Sequence, residues 1–325
     1  MTTHPATQSV RRWLFWCIVA VFLTVVVGGI TRLTESGLSI TEWRPVAGVF
    51  PPMSDEAWQA AYQQFLQIPQ AGTVHRGITM SGFQFIYWWE WIHRLLARGV
   101  GLVFAIPYLV LLVRGRIPAG LRLRLSALPI LTLAQGALGW YMVQSGLAVR
   151  SNVSAYRLTA HLALALGILA VSVWTWSELD PDGERSNAAP RWRRAVLAIT
   201  ALIGITVLSG GFMAGLRAGT IYNTFPLMGG QVVPPGYGAL TPWWLNAFEN
   251  PAAAQFHHRV LALLTATLTL ILAVRSGSAA TAGLLGERAR QMMQWLGGVV
   301  VLQVLLGITT SSRVMALTLA LIASQ

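Results

Sequence analysis

The sequence predicts an all-α membrane protein: eight transmembrane helices arranged as two tandem four-helix bundles related by a pseudo-two-fold axis. Three observations predict it. Of the 325 residues, 54% are hydrophobic and only 10% are charged, far below the roughly 25% charged residues of soluble domains. Apolar stretches of spanning length recur along the chain without strand-period alternation, which favours a helical bundle over a barrel. The second half of the chain also repeats landmarks of the first.

Taken in order, the apolar stretches cover about 13–30, 92–113, 125–143, 158–177, 195–213, 258–274 and 292–308, and an eighth begins near 314. Residues 314–325 reach roughly 18 Å as a helix, whereas a span needs about 30 Å, so helix 8 is predicted to be truncated. The first stretch follows Arg11-Arg12 as a signal peptide would, but no small-residue cleavage site precedes Gly28-Gly29, and a retained span is expected. The loop at 31–88 contains Pro51-Pro52 and then Ser54-Asp55-Glu56-Ala57, a helix start. Trp58, Ala61, Tyr62 and Phe65 follow at one-face spacing. That helix is expected to pack over the bundle mouth, with a position on the membrane surface as the rival.

All 23 basic residues are arginine. Thirteen of them (11, 12, 114, 116, 122, 124, 185, 191, 193, 194, 275, 288 and 290) precede the first span or fall in alternate loops. Positive-inside orientation then explains the net charge of +12 without a nucleic-acid partner. It puts the N-terminus in the cytoplasm and the loops at 31–88, 144–156 and 217–253 outside, with the lipid bilayer as the protein's surroundings. The single cysteine, Cys17, lies within a span, so disulfides, thiolate zinc sites and iron–sulfur clusters within one chain are excluded.

The repeat aligns Gly28-Gly29 with Gly210-Gly211, His93-Arg94 with His258-Arg259, and Gln135 and Gly139 with Gln303 and Gly307. Four spans per half insert both halves the same way round, as a parallel repeat. The expected units are an N-terminal bundle over 1–178, a cytoplasmic linker over 179–194 and a C-terminal bundle over 195–325.

His93, His161 and His258 fall just inside the outer ends of three spans. Intramembrane histidines mark functional sites by default, and histidines on facing helices are a way of holding haem iron. With a helix starting near Trp88, His93 is expected about 7 Å below the interface. His93 and His161 can face one another across the first bundle and flank one porphyrin. The alternative is that each histidine donates one hydrogen bond to a neighbouring helix. His258 is preferred over His257 because only it shares the following arginine with His93.

Glu90 precedes His93 by three residues, and Gln255 is its counterpart in the second half. An ionisable group beside one histidine and a neutral amide beside the other suggests proton chemistry in the first bundle only. An ordinary Glu90–Arg94 pair at i, i+4 is the rival. Arg94, Arg98, Arg157, Arg217 and Arg259 lie near outer ends, against the positive-inside trend. They suit haem propionates or headgroup snorkelling equally. The glycine pairs suit close helix approach or a flat ligand.

These blocks together resemble the haem A synthase family, in the branch found in proteobacteria and mitochondria. The resemblance spans nearly the whole chain. It rests on Gly28-Gly29 with Thr31 to Leu38 and Ser39, Trp43, Pro45, Gly48, Pro51-Pro52, Trp89-Glu90, His93-Arg94, Gln135 to Gly139, Met142 to Leu147 and Tyr156 to His161. The second half adds Ala214 to Gly219, Tyr222 to Met228, Glu249-Asn250-Pro251 and Gln255 to Arg259.

The resemblance implies an inner (plasma) membrane oxidoreductase that converts the C8 methyl of haem O to a formyl group, giving haem A for terminal oxidases. It implies substrate haem near His93 and His161 with Glu90 catalytic, and a resident haem b on His258, with the haem sites toward the periplasmic side. Arg94, Arg157, Arg217 and Arg259 are the expected cofactor contacts. Candidate partners are a haem O synthase, an electron donor and further copies of the chain. Two departures stand out. The family's fourth histidine counts to Ala323, which leaves haem b with one protein ligand or marks a divergent end and puts this copy's activity in question; and Gln84 stands where the family often has lysine. Competing readings are a non-catalytic electron-transfer cytochrome b, which has no use for Glu90, and a haem-binding assembly protein that does not turn its haem over.

Overall fold

The computed structural model describes residues 5–44, 46–147, 151–181, 190–278 and 285–311. The chain divides into two compact units, residues 1–183 and 184–325. Every element longer than a turn is helical, and seven helices are long and apolar enough to cross a membrane among the described residues. The eighth span and Ala323 lie outside the described residues, as does half of the linker, 182–189.

In the first unit, α1 (Pro5–Leu33) is followed by two short loop helices, α2 (Asp55–Leu66) and α3 (Pro69–Thr73). Then come α4 (Met80–Val113), α5 (Arg122–Leu147) and α6 (Ala155–Glu178). The four long helices pack as a ring in which α1 touches α4 and α6, and α5 touches the same two, so α4 and α6 lie on a diagonal. The apolar core fills one end of this ring. Val10, Trp13, Leu14, Cys17 and Val21 of α1 meet Phe104, Tyr108 and Leu111 of α4, Leu125 and Leu128 of α5, and Ile168 of α6. Trp13 Nε1 donates to the Val103 carbonyl (2.9 Å), satisfying a polar atom that lipid cannot. At the same end Arg11 pairs with Asp180 (3.0 Å) and Arg124 with Glu178. Large apolar side chains such as Trp16, Leu133 and Trp174 point outward, as helices facing hydrocarbon require.

The opposite end carries the folded loop. Ser54 caps α2, its side chain accepting from Ala57 N (3.2 Å), with Asp55 and Glu56 in the first turn. Trp58, Ala61, Tyr62 and Phe65 form the packed face, with Phe65 fully buried against Phe83. Tyr62 Oη donates to the Ile78 carbonyl (2.5 Å). The helix therefore packs against the N-terminal turns of α4, as its one-face spacing predicts.

Hydropathy misplaces the start of α4. It begins at Met80, capped by Thr79, and not near Trp88. His93 is thus thirteen residues into its helix, about 20 Å along the axis from Met80. The early turns are polar enough to escape a hydropathy window, but Phe83, Ile86 and Tyr87 bury themselves on the loop helices, and this packing extends the helix.

The second unit contains α7 (Pro190–Gly215), the short α8 (Asn246–Glu249), α9 (Pro251–Gly277) and α10 (Glu287–Ser311). Helix α9 packs between α7 and α10. Trp192, Ile199 and Leu272 form its small core, and Ala252, Ala253, Ala254, Ala266 and Ala273 of α9 are buried. Asn250 caps α9, accepting from Ala252 N (2.9 Å) and Ala253 N (3.3 Å), with Pro251 at the first helical position. The Asn250 amide also donates to the Gly236 carbonyl (2.7 Å) and to Asn246 Oδ1 (2.8 Å), fastening the loop before α9 to the start of that helix.

Candidate functional site

Away from the apolar core of the first unit, two imidazoles lie on the diagonal helices. His93 on α4 rests against Gly28 of α1: a Cβ built there would sit 2.9 Å from His93 Nε2. His161 on α6 rests against Gly139 of α5, where a Cβ would sit 2.9 Å from His161 Cε1. In the second unit His258 on α9 rests against Gly210 of α7, with a Cβ 3.1 Å from Cε1. Each ring therefore lies along a neighbouring helix backbone at a position only glycine leaves open. Gly29, one residue on, has nothing within 4 Å of a built Cβ. In the first glycine pair only Gly28 backs the histidine.

The rings differ in their polar partners. Gln135, one turn before Gly139, donates Nε2 to the His161 carbonyl (2.9 Å) and lies 3.1 Å from His161 Nδ1. Ser209 Oγ lies 2.9 Å from His258 Nδ1. No hydrogen bond to the His93 ring occurs among the described residues, although His93 and His161 are close enough to interact electrostatically.

Glu90 is 2% exposed, and its carboxylate turns to the loop after α1. Oε2 accepts from Ser39 Oγ (2.8 Å) and Ile40 N (2.7 Å). Oε1 accepts from Arg94 Nε (2.9 Å) and Nη2 (2.6 Å). Arg94 continues outward, donating to the carbonyls of Ile40 (2.7 Å) and Glu42 (3.1 Å). The i, i+4 ion pair is therefore present, and it forms half of a clamp that fixes residues 39–42 to α4. Beside this clamp is a cleft of about 410 Å³ lined by Arg44, Gly48, Pro51, Tyr87, Arg94 and Arg98 among others.

The second unit repeats the clamp with different chemistry. Gln255 is fully buried; its Oε1 accepts from Tyr222 N (3.3 Å) and its Nε2 donates to the Tyr222 carbonyl (2.9 Å). Arg259 donates to the carbonyls of Tyr222 (2.7 Å) and Thr224 (2.6 Å). In both units the residue three before the histidine and the arginine after it grip the loop that follows the preceding long helix. The residue type matches what the loop presents to it. The Ser39 hydroxyl and the Ile40 N–H both donate to Glu90, which an acceptor-only carboxylate satisfies; Tyr222 presents its N–H and its carbonyl to Gln255, which an amide satisfies.

The remaining sequence candidates are distributed more widely. Arg157 stacks on Tyr141, with its guanidinium 3.5 Å from the ring centroid and Nη1 donating to the Tyr141 carbonyl (2.7 Å). Arg217 follows α7 in a left-handed conformation, φ 52°. His257, next to the candidate ligand, bonds instead to Tyr237 Oη (2.8 Å). Sequence reasoning did not single out Ser39, Gln135 or Ser209 as site residues. Gln135 stood in a repeat block, and Ser209 immediately precedes a glycine pair, which reads as packing.

Among the described residues no three His, Cys, Asp or Glu side chains converge as a metal site. One or two axial imidazoles are what haem iron requires, because the porphyrin supplies the other donors. The glycine-backed settings of His93, His161 and His258 fit such a group.

Fold and site define a multi-pass helical membrane protein whose two units each hold a histidine-bearing helix fastened to a loop between spans. A model of the cytochrome oxidase assembly protein family, COX15-CtaA, matches residues 11–323, and the chain belongs to that family. It is 44% identical over 317 residues to the Heme A synthase of Nitrosospira multiformis, covering 96% of this chain and 88% of the relative. It is also 44% identical to the Heme A synthase of Rhodospirillum centenum, covering 97% and 83%. The Heme A synthase of Sinorhizobium medicae is 45% identical, with 95% and 83% covered. No solved structure matches the chain.

Proposed function

We propose that this chain is a haem A synthase, oxidising the C8 methyl group of haem O to a formyl group for terminal oxidase assembly. The observation that carries this reading is the unequal pair of histidine sites in a chain matching that family over nearly its full length. His93 and His161, on diagonal helices of the first unit, are assigned to substrate haem. His258 is assigned to a resident haem b, which when bound supplies one-electron redox chemistry. Gly28, Gly139 and Gly210 orient the three rings. Glu90 is assigned as the ionisable group of the substrate site and also the anchor of residues 39–42. Arg94 and Arg259 hold the outer loops, and Arg157 and Arg217 are the remaining candidates for propionates. The arginine distribution supports an inner-membrane orientation with a cytoplasmic N-terminus and the histidines toward the outer face. A haem O synthase, an electron donor and a further copy of the chain are the proposed partners.

The test is expression in cells that make haem O but not haem A, followed by extraction of pigments from their membranes. Haem A is expected to accumulate. Haem O left unconverted on purified, folded protein would overturn the enzymatic reading in favour of haem carriage.

A further inference from the structure

The Nδ1 partner of His258 has a specific donor arrangement. Ser209 Oγ donates its one hydrogen to the Thr206 carbonyl in the turn below (2.7 Å). The same oxygen lies 2.9 Å from His258 Nδ1. With its hydrogen committed, Oγ can only accept there. Both bonds form together when Nδ1 carries the ring proton, which leaves the Nε2 lone pair free. Gly210, the next residue, backs the same ring on its Cε1 side.

The first unit lacks this arrangement. Val27 precedes Gly28 as Ser209 precedes Gly210, and it carries no hydroxyl. At His161 the side-chain partner is an amide: Gln135 Nε2, with one hydrogen on the His161 carbonyl, lies 3.1 Å from Nδ1 and 3.3 Å from Nε2 of the ring.

We infer that Ser209 is a positioning residue for the resident haem: by accepting the Nδ1 proton of His258 it holds that imidazole in the iron-binding tautomer and raises its basicity, a hydroxyl acceptor that the substrate-side histidines lack among the described residues. The inference rests on assigning haem b to His258. It accounts for a division of labour in which one group stays and the other is exchanged. A second-sphere acceptor that raises ligand basicity favours the oxidised, more electron-poor iron and strengthens retention. A site that must release its product gains nothing from such a lock.

The test uses the purified, haem-loaded protein and the isosteric pair Ser209→Thr and Ser209→Val, with His258→Ala as reference. Ser209→Thr, which keeps the hydroxyl, is expected to retain the wild-type midpoint potential and haem content. Ser209→Val is expected to bind haem b with a raised midpoint potential and to lose it about tenfold more readily to an apo-protein scavenger. Equal potentials and retention in both variants, with the b-type spectrum lost in His258→Ala, would overturn the tautomer lock and leave the haem assignment standing. A b-type spectrum unchanged in His258→Ala would overturn the haem assignment and the lock with it.

Discussion

Helices α4 and α9 carry the same device in two chemical versions. Each places a histidine against a glycine of the preceding long helix, and each grips the loop after that long helix through the residue three before the histidine and the arginine after it. In α4 the gripping residue is Glu90, surrounded by donors from Ser39, Ile40 and Arg94. In α9 it is Gln255, paired both ways with one backbone unit. A charge at one site and none at the other thus follows from what the two loops present. Glu90 has a positional duty beyond any proton it handles, and its chemical role has to be tested with that duty in view.

The largest effect is expected from Glu90→Gln. An amide puts an N–H against donors, so haem A formation should fall by about 100-fold or more. Residues 34–54 should also become more sensitive to limited proteolysis. Normal turnover with an unchanged cleavage pattern would dissolve the contrast between the two helices. Gly28→Ala comes next: its Cβ would lie 2.9 Å from His93 Nε2, and displacing that ring should lower haem A formation about 10- to 100-fold. Gly29→Ala is the matched control, because its Cβ meets nothing within 4 Å, and its pigment yield should match the parent's.

Gln255→Glu sharpens the comparison from the other side. It sets a carboxylate against the Tyr222 carbonyl and removes one donated bond, at a cost of about 1–3 kcal/mol. The expected readout is earlier loss of the b-type spectrum on heating, with substrate-haem binding unaffected. The smallest effect belongs to Ser54→Ala. Removing the α2 cap should cost about 1 kcal/mol, seen as faster hydrogen exchange confined to residues 55–60.

Much of this architecture can be read from the residues alone. The seven described spans follow from hydropathy, and α2 follows from Ser54, the acidic first turn and the one-face spacing ending at Phe65. The histidine positions and the Glu90/Gln255 contrast follow from the repeat. The contacts made across the chain are not legible in this way. Nothing local shows that Glu90 reaches back fifty residues to Ile40, or that α4 gains turns by packing Phe83 and Tyr87 on the loop helices. Ser209 escapes notice for a different reason: a small residue beside two glycines already has an explanation in helix packing, and its hydroxyl matters only once His258 is seen 2.9 Å away.

The central claim is that the two histidine sites hold different haems. Its most direct measurement is the pigment content of purified His93→Ala and His258→Ala proteins from cells supplied with haem O. The first variant should lose haem O and haem A while keeping haem b, and the second should lose haem b while still carrying substrate haem. Loss of the same pigments from both variants, or of none from either, would contradict it.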